Sequence, residues 1–369
     1  MVRIIIDNLK RKNKILFVAP LYKDRSPSQR FRFEQYIEFL EENNWECHYS
    51  SLITPETDKL FYSKGNSLKK MILVMKFFYK RLKDVINSNN YDIIYVQREA
   101  CFIGITIFEK YFAKKSKLIF DFDDSIWLPN VSNANKKFDW LKNANKIKKI
   151  ISYSSVVFAG NEYLKQFALN YNNNVEIIPT TIDTEEYKRI KTENKKIIIG
   201  WSGSITTIQH FEYALNFLKR IKGKYKEKIE IKVIGDANYN NKELNVNGIA
   251  WSKETEIVDL SSFDIGIMPL PNDEWAKGKC GLKGLQYMAL EIATIMSPVG
   301  VNTEIIKDGK NGFLADTESE WFEKLSLLIE NKGLREKLGK IGRKTVLDKY
   351  SVDANKNKYL DIFNSLVSS

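Results

Sequence analysis

Histidine is nearly missing from this chain: His48 and His210 are the only two in 369 residues. A Ser-His-Asp triad or a histidine-based zinc site has little to be built from. Cysteine is as scarce. Cys47, Cys101 and Cys280 are odd in number, widely scattered and form no CxxC pair, which argues for a reducing cytosol rather than a disulfide scaffold. The first strand is not followed by GxGxxG, so a dinucleotide fingerprint is not supported. No stretch approaches the roughly 18 uninterrupted apolar residues of a membrane span. The opening MVRIIIDNLKRKNK returns to charge too soon for a secretory signal. RNP, zinc-finger and helix-turn-helix signatures are also lacking, so nucleic-acid binding would rest on charge alone and is not expected.

Positive charge is abundant. Lys and Arg outnumber Asp and Glu by 58 to 46, for a net +12. That balance favours nucleic acid, anionic lipid or phosphorylated ligands without choosing among them. Heavy use of Lys, Asn and Ile, as in an AT-biased genome, explains part of it. The length suggests two or three domains, and an apolar fraction of 43% supplies ordinary cores.

Short apolar runs alternate with helical periodicity along the whole chain. Lys14–Ala19 reads as a strand stopped at Pro20, and the loop after it offers Ser26, Ser28, Gln29 and Arg30. In an open α/β sheet that edge faces the ligand; a solvated loop is the plain alternative. Residues 63–86 form a basic amphipathic helix, with Leu68, Met71, Ile72, Met75, Phe78, Leu82 and Val85 three or four apart. Such a helix either faces a core with its lysines in solvent or lies on an anionic membrane. Strands follow at 91–96 and 117–120, the latter running into Asp121, Asp123 and Asp124. Three acids there can accept hydrogen bonds from sugar hydroxyls, act as acid or base or, least favoured without EF-hand spacing, bind metal, and they exceed what a helix cap requires. Further strands fall at 155–159 and 175–179. Polar RIKTENKK after Tyr187 reads as an interdomain linker.

The same grammar then restarts. Ile197–Ile199 leads into Gly200-Trp201-Ser202-Gly203-Ser204, and Ile229–Ile234 ends at Gly235-Asp236. Asp264–Leu270 is a buried strand, followed by a loop holding Lys277, Lys279 and Lys283 among Gly278, Gly281 and Gly284, then a helix. Glycines let backbone amides approach a ligand, and lysines at a helix N-terminus favour an anion, so this loop is a candidate phosphate site. Two rounds of strand and helix imply an α/β chain of two doubly wound domains.

Four stretches resemble the retaining glycosyltransferases of family 4. Ile177-Ile178-Pro179-Thr180-Thr181-Ile182-Asp183 is similar to their interdomain "IPNGVD", Val233–Asp236 to "vvGdG", Asp264–Ala289 to "advfvlPS…EgfG…lEAMA", and Pro298–Phe313 to "PvGG…Eii.dG.nGll". The resemblance implies a GT-B fold of two facing Rossmann-like domains. Residues 1–188 would be the acceptor domain, 189–350 the nucleotide-sugar domain, and 351–369 a C-terminal helix packing back on the first. Both carboxylates of the family's Glu-x7-Glu pair are absent, Gly278 and Gln286 standing in their places. Gln286 and Glu304 would hold the nucleoside and sugar side of the donor. Lys279 and Lys283 would neutralise its diphosphate, helped by the Gly203 and Ser204 amides, with Gly235 and Asp236 lining the donor. Ser28, Arg30, Asp121 and Asp123 would face the acceptor, and Asp124 joins the two lysines as a catalytic candidate.

The activity so implied is transfer of a sugar from a nucleotide-diphosphate sugar to an acceptor hydroxyl, with retention and without metal or cofactor. It would serve polysaccharide or glycoconjugate synthesis in the cytoplasm, peripherally on the inner membrane face through residues 63–86, with a glycan or lipid-linked acceptor. A nucleotide-sugar epimerase of the same fold, an inactive scaffolding relative, and a two-lobed solute-binding protein are the rival readings. The missing secretory signal counts against the last.

Overall fold

The structure is a computed structural model and describes residues 11–128 and 145–368. They form two compact units. The first holds the chain up to Gly160, Leu164–Ile178 and the residues from Lys356 onward; the second holds Asn161–Tyr163 and Pro179–Asn355.

The first unit is built on six parallel strands in the order β2-β1-β3-β4-β5-β6. They are β1 (Asn13–Ala19), β2 (Trp45–Ser51), β3 (Ile93–Gln97), β4 (Lys117–Phe122), β5 (Val156–Ala159) and β6 (Val175–Ile177). The inner strands are continuous apolar runs because helices cover both faces of a parallel sheet; all of β3 and β5 is buried. β2 is an edge strand, and its WECHYSS carries polar residues that no inner strand would tolerate. Aromatic side chains fill the core, with Phe17 stacked on Phe33 at 5.0 Å between centroids. The C-terminal helix Val352–Ser368 ends in this core as expected. Tyr359 stacks on Tyr36 at 4.4 Å and bonds the Tyr95 hydroxyl at 3.0 Å, and Phe363 meets Trp45 edge-on.

The helix Ser67–Asn87 buries only Leu73, Phe77, Arg81 and Val85, one residue per turn. The stripe expected to face a core lies mostly outward. What holds the helix down is partly polar: the fully buried Arg81 guanidinium donates to the carbonyls of Ala19, Ser50 and Ala100 and to Asp84. Those carbonyls lie at or just beyond strand ends, where the ladder leaves acceptors unmatched.

The second unit has seven strands in the order β13-β12-β11-β7-β8-β10-β9. They are β7 (Ile197–Ser202), β8 (Ile229–Gly235), β9 (Asn240–Asn241), β10 (Val246–Ala250), β11 (Ile265–Met268), β12 (Ala293–Met296) and β13 (Phe313–Leu314). All pairings are parallel except β9 with β10. The polar stretch read as a linker contains neither strand nor helix, yet it belongs to this unit. Arg189 donates to the Phe263 carbonyl, the Ile190 amide to Ser261 Oγ, and Asn194 to the Ser262 carbonyl. The division of the chain falls between Ile178 and Pro179, upstream of the expected 188.

Candidate functional site

The strand ends of the second unit converge where β7 and β8 stop. Gly235 has φ +137°, and a Cβ there would lie 2.5 Å from the Gly203 carbonyl oxygen; a Cβ on Gly203 would collide with the Trp201 ring. Only glycine allows the two loops to cross this closely. The helix Leu282–Ala289 is tied to the same point, its Tyr287 hydroxyl accepting from the Ser202 amide at 2.8 Å. Burial pushes the Tyr287 phenol well above its ordinary pKa, so it stays a neutral link.

That helix opens at Gly281, in the left-handed region with φ +72°, where a Cβ would strike Ile305. The loop 298–305 therefore lies against the helix N-terminus and carries the exposed Glu304 beside it. Lys283, in the first turn, places its ammonium 5.4 Å from the centroid of Trp201, the last ring of β7 before the Gly203 loop. Lys279 lies 5.2 Å from the Trp275 ring. An ammonium seated against an aromatic face is positioned by it, a held cation at an amide-rich helix end.

The sequence-derived cradle needs one correction. The Gly203 amide donates to the Ile234 carbonyl at 2.9 Å and the Ser204 amide to Thr207 Oγ1 at 2.9 Å. Both are spent inside the loop, so what this segment offers outward is the exposed Ser204 side chain, already bonded to Thr206. Asp236 is engaged in its own turn, accepting from the Asn238 amide.

Gln286 lies one turn below Lys283 and is buried. Its amide donates to the Tyr187 hydroxyl at 3.0 Å and to Glu256 Oε1 at 3.1 Å. Glu256, at the start of the helix Glu256–Ser261, also accepts from Tyr187 at 2.6 Å and Trp251 Nε1 at 2.8 Å. A carboxylate at 286 would stand beside a second buried carboxylate, and two such groups at this distance cannot both ionise. The amide is the residue that fits. Tyr187, Trp251 and Glu256 were not legible as a group, since they lie far apart in sequence on a loop, a strand end and a short helix.

In the first unit the acids at the end of β4 and just beyond it are paired with arginines. Asp121, expected at the acceptor, is wholly buried and paired with Arg32, which also bonds the Ile178 carbonyl. Burial raises the Asp121 pKa, and Arg32 opposes it. Such a pair is a structural tie, out of reach of a ligand. Arg30 is likewise buried, its guanidinium over the Phe31 ring at 4.9 Å. Asp123 receives Arg98 at 2.7 Å and Asp124 lies 3.8 Å from the same guanidinium. Arg98 has φ +61°, costly for a non-glycine residue, and its amide donates to the Asp121 carbonyl. Ser28 accepts from Gln97 through its carbonyl. Arg98, Asp123, Asp124 and Ser28 thus line one edge of the first sheet, and Arg98 was singled out by nothing in the sequence beyond its place after a strand. Among the described residues no cluster of three or more His, Cys, Asp or Glu could hold a metal ion.

Residues 183–345, within the second unit, match the family of glycosyl transferases group 1. Solved structures extend the likeness to nearly the whole chain. A glycosyltransferase from Rickettsia africae is 15% identical with a TM-score of 0.68, covering 97% of this chain and 99% of its own. Sucrose-phosphate synthase from Thermosynechococcus elongatus is 11% identical, TM-score 0.65, covering 96% and 99%. HepE from Anabaena, solved in complex with UDP-glucose, is 12% identical, TM-score 0.66, covering 95% and 99%. At these identities the likeness is one of fold: the chain has the GT-B fold, with two Rossmann-like units on parallel sheets. Among curated proteins no sequence matches the chain.

Proposed function

We propose that this chain transfers a sugar from a nucleoside-diphosphate sugar to the hydroxyl of an acceptor. The observation that carries the reading is Lys283, held over Trp201 where β7, β8 and the N-terminus of the helix Leu282–Ala289 meet, inside the family match. HepE, a neighbour in fold, was solved with UDP-glucose, which supports a nucleotide-sugar donor.

In this reading the bond from the sugar's anomeric carbon to the diphosphate breaks, the acceptor oxygen bonds that carbon, and the acceptor proton departs. Charge accumulates on the leaving diphosphate, and Lys279 with Lys283 offsets it; fixed cations aimed at developing charge are the main service such a site performs. The lysines supply the charge without a metal. Glu304 and Asp236 take the sugar and nucleoside side, with Gln286 fixed behind them. Ser28 and Asp123 take the acceptor, and Asp124 is the group to accept its proton. The configuration is retained, and the product belongs to a cell-surface glycan or glycoconjugate made on the cytoplasmic side, with a glycan or lipid-linked acceptor.

The test is release of nucleoside diphosphate from candidate donors by purified protein, with and without glycan acceptors. Replacing Lys279 and Lys283 together by Ala should abolish turnover. Donor affinity should fall about tenfold to a hundredfold per lysine, the scale of a charged hydrogen bond. Unchanged donor affinity in a folded double variant would overturn the assignment.

A further inference from the structure

The outward face of the helix Ser67–Asn87 is used by nothing described so far. Leu68, Ile72, Met75, Tyr79, Leu82 and Ile86 follow at alternating intervals of four and three, and each is between 41% and 72% exposed. That is a continuous apolar seam along a helix of 21 residues, turned away from the stripe whose Leu73 and Phe77 pack with Leu52, Ile53, Phe61 and Phe102. Ile107 and Tyr111 of the neighbouring helix Ile107–Lys115, each 46% exposed, widen it. Contiguous apolar surface on this scale marks an interaction site.

Charge says what covers it. Lys69, Lys76 and Lys83 are exposed along one flank of the seam at intervals of seven, and Lys110 and Lys114 rim the neighbouring helix. The acids of these two helices are turned inward: Asp84 pairs with Arg81, and Glu109 is buried against the Ala100 amide. Among the described residues of these two helices, the face is therefore apolar, cationic and without a carboxylate. A second copy docked antiparallel along the seam would set this lysine row against its own image, and like charges along a helical seam are repelled. An anionic surface that also accepts apolar side chains matches both features.

We propose that this face docks on a bilayer containing anionic lipid, the helix Ser67–Asn87 lying in the interface plane. Its seam enters the acyl boundary while Lys69, Lys76 and Lys83 extend to lipid phosphates. The proposal stands on the first unit alone and does not depend on the donor assignment.

The test is flotation of the full-length chain with vesicles of phosphatidylcholine alone or mixed with phosphatidylglycerol, at low and high salt. The chain should float only with the mixed vesicles, and less at high salt. Replacing Lys69, Lys76 and Lys83 by Gln should weaken partitioning about a hundredfold, given the attraction of each basic residue near an anionic surface. Replacing Leu68, Met75 and Ile86 by Gln should also release the protein. All six side chains are exposed, so circular dichroism and the melting temperature in lipid-free buffer should be unchanged in both variants. Flotation indifferent to phosphatidylglycerol, or wild-type flotation of either variant, would overturn the proposal. So would a lipid-free dimer that the apolar variant dissolves, since that would give the face to a second copy.

Discussion

Gln286 is where this chain departs most visibly from the family it resembles, and its surroundings explain the departure. Glu256 already sits 3.1 Å from the position, with Tyr187 and Trp251 as its other donors. Restoring the family's acid by Gln286→Glu would force two buried carboxylates to share a proton, raising the pKa of the pair. A raised folded pKa means stability is kept at low pH and lost as pH rises through that value. At neutral pH the variant should be roughly 2–4 kcal/mol less stable than wild type, recovering on acidification. Adding Glu256→Gln should restore most of it at neutral pH. Equal stability of Gln286→Glu and wild type across the pH range, by urea titration, would contradict this account. Neither Glu256 nor Arg98 was legible beforehand. Hydrogen-bond partners brought together by topology leave no spacing to read, and a left-handed Arg follows no sequence rule.

At the scale of elements, buried parallel strands were the most legible feature. β1, β3, β4, β5, β7, β11 and β12 carry short apolar runs bounded by turns, because both sheet faces are covered. β2 was missed for the opposite reason: an edge strand keeps polar residues, and WECHYSS has no apolar run to detect. The helix Ser67–Asn87 was legible as a helix but not in its orientation. Its core stripe includes Arg81, which hydropathy assigns to solvent, while the most apolar seam faces outward. The Gly203–Gly235 crossing gives a prediction at this scale. Gly235→Ala places a methyl group against the Gly203 carbonyl at a strained φ, costing about 1–3 kcal/mol. The displaced loop should also weaken nucleotide binding. A Gly235→Ala protein with wild-type melting and nucleotide affinity would show that the close approach is dispensable.

For the molecule as a whole, the two rounds of strand and helix were plain in the sequence, and the GT-B fold agrees with them. The dividing point was less so. A polar segment looks like a linker whether it is free or bonded down, and residues 188–196 are bonded to the second unit. The return of the chain end has its own consequence. Tyr359, Phe363 and Leu366 complete the first unit's core from the far end of the sequence. Buried aromatic truncations cost about 3–5 kcal/mol each, against a whole-domain stability of roughly 5–15 kcal/mol. A chain ending at Asn355 should therefore lose the cooperative unfolding of its first unit, seen as a missing transition in calorimetry. Retention of that transition would show that the first core is complete without the helix.

The lysine-bearing helix end of the second unit is the place proposed to hold a nucleoside diphosphate. Its most direct test is a thermal-shift series on the purified chain and on the Lys279→Ala, Lys283→Ala double variant, with UDP, GDP, CDP and ADP and their common sugar derivatives. Saturating a ligand that binds only the folded state must raise the melting temperature. A rise is expected with one nucleotide family in the wild-type chain, and its loss in the double variant. No rise with any nucleotide, or the same rise in both proteins, would contradict it.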